Sequence, residues 1–199
     1  MLEDYVVIDL EMTGLNAKTD AILEVGAVRV RDGRQTETYG AILKCGRELS
    51  ERVVELTGIT PEMAAGGREP EEAMREFFTF LGDDVLVGQN VIFDYSFLKQ
   101  WSVNHGQAFE RNAVDTLKLA RRFLPAEQKK DLESLCTYFG IGRERAPRAV
   151  DDAMAAGIVL GFDFWFFVSG QMSLNGAVRT SMTAVSGGLL LIYLFIITY

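Results

Sequence analysis

The chain has 199 residues, 48% of them hydrophobic and 11% aromatic, and a formal net charge of -8. That composition builds one sizeable core and excludes a disordered chain, and the acidic balance excludes unspecific adhesion to nucleic acid, so any polyanion must be held through metal ions or a local basic patch. Cys45 and Cys136 have no zinc-type spacing, and no basic stretch precedes the first apolar run, which excludes a zinc module and a secretory leader and fits a reducing cytoplasm.

The first predicted element is a strand in YVVIDLEMTGL, where Tyr5, Val6, Val7, Ile8 and Leu10 enclose two acids, Asp9 and Glu11, before the break at Thr13-Gly14. Alternation puts both carboxylates on one face. A buried strand holds two neighbouring negative charges only with a cation between them or with raised pKa values, and hard oxygens suit Mg²⁺ or Mn²⁺. The bland alternative is a strand end emerging into solvent. Residues 21–31 are β-rich, residues 31–34 form a hairpin turn and residues 36–43 return as a third strand, making an antiparallel meander. Ser50 precedes a short helix over residues 51–56 closed by Gly58, and Pro61 opens another turn.

Over residues 70–81, Ala73, Met74, Phe77, Phe78 and Leu81 recur at helical spacing, with Glu69, Glu71 and Glu72 at the end that the helix dipole favours. Residues 85–88 form a short buried strand. A helix over residues 91–101 follows, with an apolar stripe of Ile92, Tyr95 or Phe97, and Leu98. Residues 113–115 are a brief strand leading into a helix over 116–124 that Pro125 stops; a further helix spans 132–139 and ends at Gly140, and the last starts near Arg148. A meander followed by alternating strands and helices predicts an α/β fold with a mixed sheet flanked by helices.

Asp94 lies early in the helix after the fourth strand, and Asp151 and Asp152 lie early in the last helix. Taken singly, each is an ordinary acid near a helix start. With Asp9 and Glu11 they make a set of candidate oxygen ligands. The segments DLEMTGL, VVELTGIT, NVIFDYSFL, VDTLKLARRFLP, DLESLCTYFGI and RAVDDA, in this order, resemble the DEDD superfamily of 3′-to-5′ exonucleases, above all the proofreading type found as the epsilon subunit and the PolC exonuclease domain of bacterial DNA polymerase III. The resemblance covers roughly residues 4–160. It implies a ribonuclease H-like fold with a five-stranded mixed sheet over residues 1–160. It also implies two Mg²⁺ or Mn²⁺ ions held by Asp9, Glu11, Asp94 and Asp152 as the catalytic residues.

By the same resemblance Thr13, Leu15, Asn90 and Phe97 become substrate contacts, with core packing as the alternative for Leu15 and Phe97. The implied substrate is a single-stranded DNA 3′ end or a short oligonucleotide, and the implied partner is a DNA polymerase III assembly in the cytoplasm. An oligoribonuclease-like activity on RNA is the enzymatic alternative. Arg143, Arg145 and Arg148 cluster before the last helix and suggest phosphate contact. Arg121, Arg122, Lys129 and Lys130 flank one loop, and a solvated surface suits the two lysines.

The sequence departs from the family at its proton acceptor. One subclass takes a histidine five residues before the last aspartate, which here is Pro147; the other takes a tyrosine four residues before it, which here is Arg148. Gln89 stands where histidine often precedes the asparagine. The single histidine, His105, reads as a helix exit. Loss of a positioned base lowers turnover by ~10²- to 10⁴-fold, so a catalytically weak module that binds nucleic acid or a polymerase is the alternative outside enzymes. Residues 161–199 form an apolar tail with one acid, Asp163, and one base, Arg179. Its uncharged part, residues 182–199, reads as a membrane anchor, a packed segment or the product of an altered reading frame.

Overall fold

The computed structural model describes residues 3–142 and 148–169, with side chains to residue 161. Pro147, Arg143, Arg145 and the segment 182–199 lie outside the described residues.

The meander comprises β1 (Tyr5–Met12), β2 (Ile22–Arg31) and β3 (Arg34–Ile42). β1 and β2 are antiparallel, with Tyr5 opposite Val30, Asp9 opposite Gly26 and Glu11 opposite Glu24. Asp32 (φ 49°) and Gly33 (φ 68°) make the tight hairpin turn between β2 and β3. β4 (Leu86–Gly88) and β5 (Ala113–Asp115) add in parallel, giving a five-stranded mixed sheet of order β3-β2-β1-β4-β5. The helices are α1 (Glu51–Thr57), α2 (Pro61–Ala65), α3 (Pro70–Leu81), α4 (Ile92–Asn104), α5 (Thr116–Phe123), α6 (Leu132–Phe139) and α7 (Ala149–Ser169). Side chains of Ser50, Thr60, Asp115 and Asp131 accept backbone N–H bonds at the starts of α1, α2, α5 and α6, supplying partners that a helix start lacks.

The period of two along β1 divides the core. Val6, Ile8 and Leu10 pack with Val25 and Ala27 against Met74 and Phe77 of α3 and Phe97 and Leu98 of α4. Tyr5 and Val7, with Val28 and Val30 of β2, face the other way onto Ala153 and Ala156 of α7. A further cluster joins α5, α6 and α7 through Ala120, Leu135, Phe139 and Val159. Asp9 and Glu11 continue the row that faces α7, so the strand places its acids under the helix that carries Asp152.

Two expectations change. Pro61 begins a short helix, because Thr60 caps it by accepting from the Met63 amide. In α4 the buried positions are Asp94, Phe97, Leu98 and Ser102, whereas Ile92 is 56% exposed; two residues from Asp94 is about 200° around a helix, so Ile92 takes the outer face. α7 runs without a break from Ala149 to Ser169. Among the described residues no helix is long and apolar enough to cross a membrane.

Candidate functional site

Asp9, Glu11 and Asp152 each offer a carboxylate oxygen within 4.8 Å of the others, all three partly exposed. Asp9 and Glu11 reach the site because they sit two apart on β1, and Asp152 because the first turn of α7 lies over that face. The β1–β2 register slips between Glu11 and Met12, just beyond the acids, before the chain enters the loop at residues 13–20. Asp94, at 5% exposure, stands outside the triad and accepts the Leu10 amide at 2.9 Å on Oδ1. β4 pairs with β1 only at Val6 and Val7. The Leu10 N–H therefore lies past the end of β4, and the Asp94 side chain supplies the acceptor the sheet does not.

Burial raises the Asp9 carboxyl well above its ordinary range, and the charges of Asp94, Glu11, Asp152 and Glu24 push it further. Although Asp9 keeps some exposure, its carboxyl is enclosed by the strand and its acidic neighbours, so burial comes first. Asp94 rises to about 7, again chiefly through burial, with the Leu10 amide pulling the other way. Such groups give up their protons when a cation takes the place of solvent. The donor set is all hard oxygen, partly open and negative, and fits Mg²⁺ or Mn²⁺.

The loop after β1 is closed by its own polar groups. The Thr13 hydroxyl accepts the Ala21 amide at 2.9 Å, the Thr13 amide bonds the Ala21 carbonyl at 2.9 Å, and Asp20 Oδ2 accepts the Asn16 amide at 2.8 Å. Leu15 at the loop surface is 69% exposed, which excludes the core alternative for it. Phe97 is 3% exposed and packs in the core between sheet and α4, so the core alternative describes it in this structure. Asn90 adopts φ 57° and donates its amide to Asp115 Oδ1 at 3.0 Å, the same oxygen that caps α5 through Leu117. Gln89 donates to the Lys130 carbonyl at 2.7 Å and accepts from the Thr116 hydroxyl. His105 closes α4, stacked on Trp101 at 4.4 Å.

Arg148 does not face open solvent with an uncommitted charge. Its guanidinium pairs with Glu24 Oε1 at 2.9 Å while its side chain stays 40% exposed. Glu24 itself is 2% exposed; burial raises its pKa, against which Arg148 and the Ala149 amide pull down. Sequence reasoning missed Glu24 and Asp115. The signal for Glu24 was present, since LEVGAV sets one acid inside an apolar strand just as β1 does.

The five-stranded mixed sheet flanked by helices is the ribonuclease H-like fold of exonucleases, and the carboxylate triad at the end of its central strand is a candidate site for a divalent cation. A family model described as Exonuclease, of the RNase T type, matches residues 6–160, and the chain belongs to that family. It is 36% identical over 150 residues to the DNA polymerase III subunit epsilon of Aquifex aeolicus, covering 75% of this chain and 74% of that one. It is 41% identical over 150 residues to the PolC-type DNA polymerase III of Thermotoga petrophila, covering 75% of this chain and 11% of the relative. The chain thus spans about a tenth of the PolC-type relatives it matches. In fold it resembles exonuclease X in complex with 5′ overhanging duplex DNA, with a TM-score of 0.65 at 22% identity, covering 84% of this chain and 94% of that one.

Proposed function

We propose that this exonuclease domain removes nucleotides from single-stranded DNA in the 3′-to-5′ direction, using two Mg²⁺ or Mn²⁺ ions held by Asp9, Glu11, Asp94 and Asp152. The observation that carries the reading is the convergence of Asp9, Glu11 and Asp152 within 4.8 Å beside the buried Asp94. When bound, the ions supply an activated water and neutralise the departing 3′ oxygen. Asp9 is the group on which the charges of the other three acids act, so it would hold a cation at the centre of the acidic set. Asp94 holds the end of β1 through the Leu10 amide, which fixes where Asp9 and Glu11 stand. The exposed Leu15 and the Thr13 loop offer an apolar edge to the terminal nucleotide, and Asn90, in a constrained backbone, is a further candidate contact. Arg148 docks the helix start on Glu24 and, with its side chain 40% exposed, keeps guanidinium donors for a phosphate.

The likeness to epsilon and PolC-type relatives supports work beside a replicative polymerase in the cytoplasm. Pro147 favours a second reading, a domain that grips a 3′ end with little turnover, since proline has no group to take a proton from water.

One assay separates these readings. A 5′-labelled single-stranded DNA is incubated with the full chain and Mg²⁺, Mn²⁺ or EDTA, next to Glu11→Ala. Metal-dependent shortening of the label one nucleotide at a time, absent in the variant, supports the exonuclease. Metal-dependent binding without shortening supports the weak module, and neither binding nor cleavage sinks both. Competition by an oligoribonucleotide of the same sequence tests the choice of sugar.

A further inference from the structure

α7 lies on the sheet more closely than ordinary side chains permit. A Cβ on Gly26 would collide with the Ala149 carbonyl carbon and the Val150 amide nitrogen, and one on Gly40 would stand 2.5 Å from Val150 Cγ2. Gly26 and Gly40 are register partners on β2 and β3, and Asp9 is the partner of Gly26 on β1. These residues form one row across the sheet, Asp9–Gly26–Gly40, and the first turn of α7 rests on its glycine end. Glu24 is the next residue of β2 on the same face and lies opposite Glu11.

The Glu24 carboxylate grips that turn with both oxygens. Oε1 takes the Arg148 guanidinium at 2.9 Å and Oε2 accepts the Ala149 amide at 3.3 Å. Ala149 is the first residue of α7, so its N–H has no partner within the helix, and a carboxylate there also meets the positive end of the helix dipole. The Arg148 carbonyl, in turn, accepts the Asp152 amide at 3.0 Å. Glu24 thus contacts the residue whose carbonyl opens the turn carrying Asp152.

We infer that Glu24 is a positioning residue for the nuclease site: it caps α7 from the sheet, docks the first turn on Gly26 and Gly40, and so fixes Asp152 against Asp9 and Glu11. A 2%-exposed glutamate is otherwise a poor choice for a strand interior, because hydrophobic residues of similar volume would stabilise the sheet without a buried charge. Glu24 is not one of the three carboxylates of the triad. It acts through the geometry of Asp152, and the inference rests on the metal-site reading of the triad.

The test is Mn²⁺ binding to the full chain, measured by calorimetry beside the metal-free melting temperature. The variants are Glu24→Ala, Glu24→Gln, and Phe77→Leu in the core on the opposite face of the sheet. Loss of groups that orient metal ligands typically weakens metal binding ~10- to 100-fold. Glu24→Ala is expected to weaken Mn²⁺ at least tenfold, whereas Phe77→Leu lowers the melting temperature and leaves Mn²⁺ affinity within twofold. Glu24→Gln keeps an acceptor for Ala149 and loses the charge facing Arg148, so it falls between parent and Glu24→Ala. It also decides the matter if Glu24→Ala does not fold. Parent-like Mn²⁺ affinity in the folded Glu24 variants overturns the positioning role, as does an equal loss in Phe77→Leu. A parent chain that takes up no Mn²⁺ overturns the metal-site reading, and this inference with it.

Discussion

Replacing Asp94 with asparagine separates the stability of the metal-free protein from its function. The Asp94 carboxyl goes from an ordinary value of 3.8 to about 7, mainly because it is buried. The folded protein therefore holds a proton that the unfolded chain releases between about pH 4 and about pH 7. Across that window stability falls as pH rises, and above it the loss is complete. At ~1.4 kcal/mol per pH unit the full loss is about 4 kcal/mol, and sharing the burden with Asp9 reduces what one substitution recovers to roughly 2 kcal/mol. Asparagine has the same shape and keeps an oxygen for the Leu10 amide. In EDTA at pH 8, Asp94→Asn should melt above the parent by about 4–8 °C, at ~2–4 °C per kcal/mol for a chain of this size. By pH 5.5 the gap should shrink by about half. Exonuclease activity should be lost at both. An Asp94→Asn chain that melts at or below the parent at pH 8, or a gap that ignores pH, would refute the idea that this carboxyl is held against its charge.

Pro147→His should raise the rate of 3′-end removal by ~10²-fold or more in Mg²⁺, read on end-labelled DNA; an unchanged rate means that a missing proton acceptor is not what limits turnover. Mn²⁺ at a hundred times its dissociation constant should stabilise the parent by about 2.7 kcal/mol, seen as a rise in melting temperature, and Glu11→Ala should abolish that rise. Gly26→Ala should cost at least ~1–3 kcal/mol, because the new methyl meets backbone atoms of Ala149 and Val150 that cannot rotate away. Mn²⁺ affinity should fall with it, and calorimetry showing stability lost but affinity intact would place the strain elsewhere. Leu15→Ser, at a position 69% exposed, should leave the melting temperature unmoved and raise the KM for single-stranded DNA more than it lowers kcat.

What could be read beforehand was what local spacing encodes. The row Tyr5, Val7, Asp9, Glu11 is visible in the order of residues, and the structure keeps it as one face. The span of α6 and its end at Gly140, a left-handed residue, were legible in sequence, while its cap Asp131 was not singled out. Contacts between distant segments were not encoded in that way. Glu24 finds its partner 125 residues away at Ala149, and nothing local to β2 says which helix start will arrive. The outward turn of Ile92 has the same origin, since the buried face of α4 is chosen by where Asp94 meets Leu10 and not by hydrophobicity alone. Phe97 shows the converse limit: motif position suggests a substrate contact, and the surrounding side chains make it core.

The two halves of the α7-facing surface of the sheet oppose one another energetically. Below Asp9 it is apolar, and Val7 and Val28 bury against Ala153 and Ala156. Each such side chain contributes ~1.5–3 kcal/mol when fully buried, and the close approach at Gly26 lets the helix settle on them. At and above Asp9 it is acidic, and the same helix brings Asp152 into repulsion with Asp9 and Glu11. Packing along the lower half offsets the charge repulsion along the upper half, and Glu24 takes the helix start within the acidic half, opposite Glu11. It follows that charge repulsion loads the first turn of α7 when no metal is bound. Hydrogen exchange at the Asp152 amide, bonded to the Arg148 carbonyl, should therefore be faster than at amides two turns further along α7, and divalent metal should slow it. Equal protection along the helix with and without metal would mean that the hydrophobic half alone sets the helix, and that the acids ride on it without loading it.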